Sequence, residues 1–82
     1  MSEKIKLLVI FGGQSPEHDI SCISVTSVLN NLDKEKYKIS KLGITKKGEW
    51  LLYTGKNENI ANGKWLKDKK HLKKAIILWE VI

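Results

Sequence analysis

The clearest pattern in the chain is the unbroken apolar run Leu7-Leu8-Val9-Ile10-Phe11, set between Lys4 and Lys6 and the pair Gly12-Gly13. It predicts a strand over 4–11, and consecutive rather than alternating apolar positions suit a parallel-sheet strand covered on both faces. The glycine pair ends the strand by freeing the backbone for a sharp turn. Ser15 then offers an N-cap and Pro16 a first helical position, where a missing N–H costs nothing. A start nearer Asp19 or Ser21 fits the same residues. From Glu17 to Leu32 the apolar residues Ile20, Ile23, Val25, Val28, Leu29 and Leu32 recur at helical spacing, which predicts an amphipathic helix. Its β-branched content makes that helix intrinsically weak, so packing must hold it.

Apolar positions return at Tyr37, Ile39, Leu42 and Ile44, which reads as a second strand with imperfect alternation and a bulge near Gly43. The segment 45–48 (TKKG) is a turn, and Glu49 to Tyr53 folds back as a hairpin strand. Polar residues over 54–63 read as loop. Lys64 to Lys74 reads as a thin amphipathic helix with Trp65, Leu66 and Leu72 inward, and Ala75 to Ile82 regains strand character. The order of elements predicts an α/β domain with a small, partly parallel sheet and flanking helices. Trp50, Trp65 and Trp79 are expected to anchor packing.

At 82 residues, 41% hydrophobic and 29% charged, the chain is one small domain and not a disordered tail. Its formal charge of +6 comes from 15 basic residues, every one a lysine. The absence of arginine and of interleaved aromatics argues against a nucleic-acid partner. The dense run Lys64 to Lys74 is read as a solvated face, with a stand-alone binding module for an acidic partner as the alternative function. One cysteine and two histidines exclude a disulfide framework and give no metal-ligand set. No apolar run is long enough for a membrane span or a secretory leader, so a cytoplasmic protein with no membrane partner is expected.

The candidate chemistry sits in the segment 11–21 (FGGQSPEHDIS), at the carboxyl end of the first strand, where open α/β sheets gather ligands. It is neither a dinucleotide fingerprint nor a P-loop. Glu17, His18 and Asp19 crowd the helix start; carboxylates there compensate the helix dipole or act on a ligand, and the residues alone leave both readings open. Ser21 has no base placed beside it and is read as a helix-capping residue.

This segment resembles the N-terminal signature of D-alanine-D-alanine ligases, and 37–52 (YKISKLGITKKGEWLL) resembles that family's strand, turn and Gly-Ile-Thr-Lys-x-Gly-x-Trp stretch. The SPEH wording is also similar to the vancomycin-resistance ligases that join D-alanine to D-serine or D-lactate. The resemblance implies a Rossmann-like pre-ATP-grasp domain over residues 1–82, with the ATP-grasp domains absent from this chain. It implies an ATP- and magnesium- (or manganese-) dependent ligase acting through an acyl phosphate in peptidoglycan synthesis, both cofactors bound outside this chain and the fragment alone inactive. By position in the motif, Glu17 would hold the ammonium of the first D-alanine, Ile20 would line its methyl group, and Gly12 and Gly13 would let backbone approach it. His18 and Asp19 would lie at variable or outward positions, no residue here would be catalytic, and a homodimer is the implied partner.

Overall fold

The computed structural model describes residues 3–75. Strand β1 (Ile5–Gly12) leads through helix α1 (His18–Asn31) to β2 (Tyr37–Ile44), which turns back into β3 (Trp50–Tyr53). A single-turn helix α2 (Glu58–Ala61) and two 3-10 turns, Lys64–Lys67 and Lys69–His71, then deliver β4 (Leu72–Lys74). The sheet order is β1-β2-β3-β4. β1 and β2 are parallel and in step from Ile5↔Tyr37 to Gly12↔Ile44, as a helical crossover requires. β3 runs antiparallel to β2 and β4 antiparallel to β3, so the sheet is mixed.

The core lies between one face of this sheet and the helical segments. Phe11, Cys22, Val25, Leu29, Tyr53, Ile60 and Trp65 form its buried cluster. Trp65 is the centre: its ring meets Phe11 edge-on with centroids 4.9 Å apart and Tyr53 at 6.2 Å. The indole Nε1 is buried without a hydrogen-bond acceptor among the described residues. That orphan donor costs about 1–3 kcal/mol. Burying the ring, at ~200 Å² and ~25 cal/mol per Å², returns about 5 kcal/mol, so packing wins.

Gly43 is explained by the same ring. A Cβ at this position would come within 2.5 Å of the Trp65 indole and 2.8 Å of the Phe11 ring. The expected bulge is not there: Gly43 pairs in register with Phe11 on one side and Leu51 on the other. The glycine makes room for a ring rather than for an irregular backbone.

Other sequence expectations are corrected. Lys64 to Lys74 is not one helix. Its residues make two 3-10 turns and a strand, because Trp65 is pulled into the core while its lysine neighbours stay exposed. The loop over 54–63 holds α2, whose Ile60 is fully buried. α1 begins at His18 rather than at Pro16, and buries His18, Cys22, Val25 and Leu29. Ile20, Ile23 and Val28 point outward instead, Ile20 and Ile23 each at 59% exposure. β1 is covered on one face only, leaving Leu8 and Ile10 exposed, because no described element packs over its second face. Trp50 is partly exposed rather than a core anchor. Trp79 and all but the first residue of the strand expected over 75–82 lie outside the described residues.

The 3-10 segment is tied down by Asp68. Its carboxylate accepts the Tyr53 hydroxyl at 2.8 Å and lies 2.8 Å from His71 Nδ1. Hydrogen bonds from His71 and then Tyr53 hold this carboxyl below the ordinary aspartate value of 3.8. A depressed folded-state value means that the stabilisation is complete above that ordinary value and is lost as pH falls through the lower, folded one. Urea unfolding across an acid pH series should therefore show a shallower acid loss for Asp68→Asn than for the parent chain; identical acid limbs would remove Asp68 from the balance. Gly43→Ala should cost about 1–3 kcal/mol by the same assay, because a methyl is forced against two packed rings.

Candidate functional site

The two motifs singled out in the sequence meet at the carboxyl ends of β1 and β2. Gly13 N–H donates to the Ile44 carbonyl at 2.9 Å, which brings the glycine turn against the start of the 45–48 turn. Gly12 and Gly13 have φ of +86° and +115°, a region that side chains rarely enter. A Cβ on Gly12 would also strike the Ile44 carbonyl and come within 3.0 Å of the His18 ring, whereas Gly13 faces open space. The Gln14 amide packs against Gly48, within 3.0 Å of where a Cβ would stand. Lys46 reaches Asp19 at 3.6 Å across the same mouth, an exposed pair of little energetic weight.

The glycine turn is held from the helix side by two residues whose roles the sequence did not reveal. Gly12 N–H donates to Ser21 Oγ at 3.0 Å. His18 Nδ1 lies 2.9 Å from the Gly13 carbonyl, a geometry that places the proton on Nδ1. His18 is thus buried at 3% exposure, not outward, and Ser21 tethers the turn instead of capping the helix. Their spacing of three residues at the helix start is the signal that could have found them, since it sets both on one side of the first turn.

Glu17 is different. Ser15 takes two donors at the entry to the helix, its hydroxyl accepting Glu17 N–H at 3.2 Å and its carbonyl accepting His18 N–H at 3.1 Å. Glu17 occupies the N-cap position with no side-chain capping bond. Its carboxylate is exposed, and among the described residues it makes no ion pair. Capping is therefore not its task, though its charge still suits the helix N-terminus. Ile20 follows one turn later on the same side and is also exposed. Gly12 and Gly13 thus lie at the end of β1, Glu17 at the N-cap and Ile20 in the first turn of α1.

A cavity of about 480 Å³ opens beside this stretch, lined by His18, Asp19, Cys22, Thr45, Lys46 and Trp65 among others. Glu17 and Ile20 do not line it. Burial, and then the Asp19 charge, raise the Cys22 thiol above its ordinary value of 9.0 against a smaller opposing effect of Lys46. It stays protonated at neutral pH and is no nucleophile. Among the described residues no group of three or more His, Cys, Asp or Glu side chains could hold a metal ion, and no helix is long and apolar enough to cross a membrane.

Removing the tether should loosen the turn without unfolding the chain. Ser21→Ala is expected to cost about 1 kcal/mol and to speed hydrogen exchange at the Gly12 amide. Unchanged Gly12 protection would show that the hydroxyl does not hold the turn.

Residues 6–78 match the family described as D-ala D-ala ligase N-terminus. The chain is 54% identical over 69 residues to D-alanine--D-alanine ligase B of Clostridium tetani, covering 84% of this chain and 19% of that one. It is 56% identical over 66 residues to the D-alanine--D-alanine ligase of a Thermoanaerobacter species, covering 80% of this chain and 18% of that one. Its fold matches the VanG D-Ala:D-Ser ligase of Enterococcus faecalis with a TM-score of 0.89 at 39% identity, over 93% of this chain and 22% of that one. The D-alanine-D-alanine ligase of Coxiella burnetii matches at 0.78 with 33% identity, over 94% of this chain and 22% of that one. The chain thus spans about a fifth of the length of the relatives it matches. With the fold, the motif pair and the sequence all in agreement, the chain belongs to the D-alanine-D-alanine ligase family and corresponds to its N-terminal domain.

Proposed function

We propose that this chain supplies the wall that receives the first D-alanine in an ATP-dependent ligase, which joins D-alanine to D-alanine, D-serine or D-lactate for peptidoglycan. In the proposed reaction the carboxylate of the first D-alanine becomes an acyl phosphate, and the amine or hydroxyl of the second substrate displaces the phosphate. The observation that supports the reading is an exposed Glu17 carboxylate with no capping bond, at the start of the helix that follows a glycine turn held by Ser21 and His18.

Each part has a physical role. Glu17 would pair with the substrate ammonium, a charge-assisted contact that fixes orientation. Ile20 would face the methyl group. Gly12 and Gly13, lacking Cβ atoms, would let backbone come close to the ligand. Ser21 and His18 would act as positioning residues, since they fix the turn and not the ligand. ATP would supply the phosphoryl group and Mg²⁺ would neutralise its charge, but this sequence has neither a glycine-rich nucleotide loop nor an acidic metal-binding set. No step through them is assigned to these residues, and a cytoplasmic location follows from ATP use.

The reading includes self-association. The exposed Leu8 and Ile10 on β1 and Ile23 and Val28 on α1 leave apolar surface for a second copy or for the rest of the ligase.

In a ligase carrying this segment, Glu17→Gln should raise the KM for D-alanine about 10- to 100-fold, the worth of one charge-assisted hydrogen bond. The KM for ATP should stay unchanged. Equal amino-acid kinetics in the variant would take Glu17 out of the site. The 82-residue chain by itself should show no D-alanine-dependent ATP turnover.

A further inference from the structure

A second concavity, of about 860 Å³, opens at the end of the sheet away from the glycine turn. It lies between the end of α1, the first half of β2 and the segment 54–58. The strands make it. β2 is longer than β3, so Lys41 to Ile44 are paired on that side while Tyr37 to Ser40 are not. The bonds Ile5 N–H to Lys36 O and Gly13 N–H to Ile44 O show that even-numbered residues of β2 face β1. Odd-numbered ones face the other way. Tyr37 N–H is taken by the Asp33 carbonyl at 3.0 Å, leaving the Ile39 N–H directed at the open edge with no strand opposite.

The charges around this edge are one-sided. Lys41 is only partly exposed; its ammonium donates to the Gly55 carbonyl and to Asn57 Oδ1 and lies 5.1 Å from the Tyr53 ring centroid. All three partners are neutral, and among the described residues no carboxylate pairs with it. An ammonium has three donors, so one remains. Burial pushes the Lys41 amine below its ordinary value of 10.5, and the neighbouring Lys34 charge adds to the effect. Lys4, Lys34, Lys38 and Lys56 line the same space, and Glu58 is the one acid there, 4.0 Å from Lys56. The fold therefore confines several like charges around a half-buried cation, an arrangement that an anion would relieve.

We propose that this groove binds a compact polyanion of the phosphate class, held by Lys41 at its inner end, Lys34 at its mouth and the free Ile39 N–H. Phosphate oxygens match this set because they accept from ammonium and amide donors together. The site is independent of the ligase reading. Glu17 and the glycine turn stand at the other end of the sheet, so either can fail without the other.

The test is titration of inorganic pyrophosphate into the isotope-labelled 82-residue chain at fixed ionic strength, followed by amide NMR. Saturable shifts are expected at Ile39, Gly55 and Asn57. Lys34→Gln, at an exposed residue, should weaken binding about tenfold, as expected for a lost charged contact. Lys69→Gln with Lys70→Gln, outside the groove, should leave the affinity unchanged. Shifts that spread over every lysine-bearing segment without saturating would overturn the site, as would an unchanged affinity in Lys34→Gln. Citrate binding as tightly as pyrophosphate would overturn the phosphate assignment.

Discussion

The architecture depends on one contact, the indole of Trp65 lying flush on Gly43. This places a residue from an irregular, lysine-rich stretch against the carboxyl-terminal end of the central strand β2. With so few large apolar side chains in an 82-residue chain, no other ring among the described residues spans Phe11 of β1 and Tyr53 of β3 at once. The 3-10 turns, the strand β4 after them and the Tyr53–Asp68–His71 hydrogen bonds all follow from bringing Trp65 to that place. A buried indole N–H without an acceptor is tolerated because the ring's area outweighs it.

That contact also explains what could be read in the sequence and what could not. β1, α1, β2 and β3 were legible because each has a local signal: an apolar run, a helical period, turn residues at its ends. The segment after 63 was not, because its conformation is set by a distant glycine and not by its own periodicity. In α1 the period was right but the buried face was not. Ile20, Ile23 and Val28 are as apolar as Val25 and Leu29, and only the position of the sheet decides which of them is covered. The glycine turn was legible as a turn. The hydrogen bonds of His18 and Ser21 to it were not, because polar side chains at a helix start have several local partners to choose from.

At the strand ends, rigidity and availability are divided between neighbouring residues. Ser15 accepts the N–H groups of Glu17 and His18, His18 and Ser21 hold the turn, and the Glu17 side chain, set among them, makes no capping bond. A carboxylate is most useful to a cationic ligand when nothing in its own protein competes for it and the backbone carrying it does not move. Here Ser21 and His18 hold the glycine turn, and among the described residues no cation pairs with Glu17.

Phe11 belongs to both regions. Its ring is wedged edge-on against Trp65, and its main chain runs directly into Gly12. The residue that seals the interior is thus covalently joined to the turn at the mouth, with no flexible linker to isolate one from the other. Substitutions that shift the Phe11 ring will therefore disturb the glycine turn as well as the packing of the core.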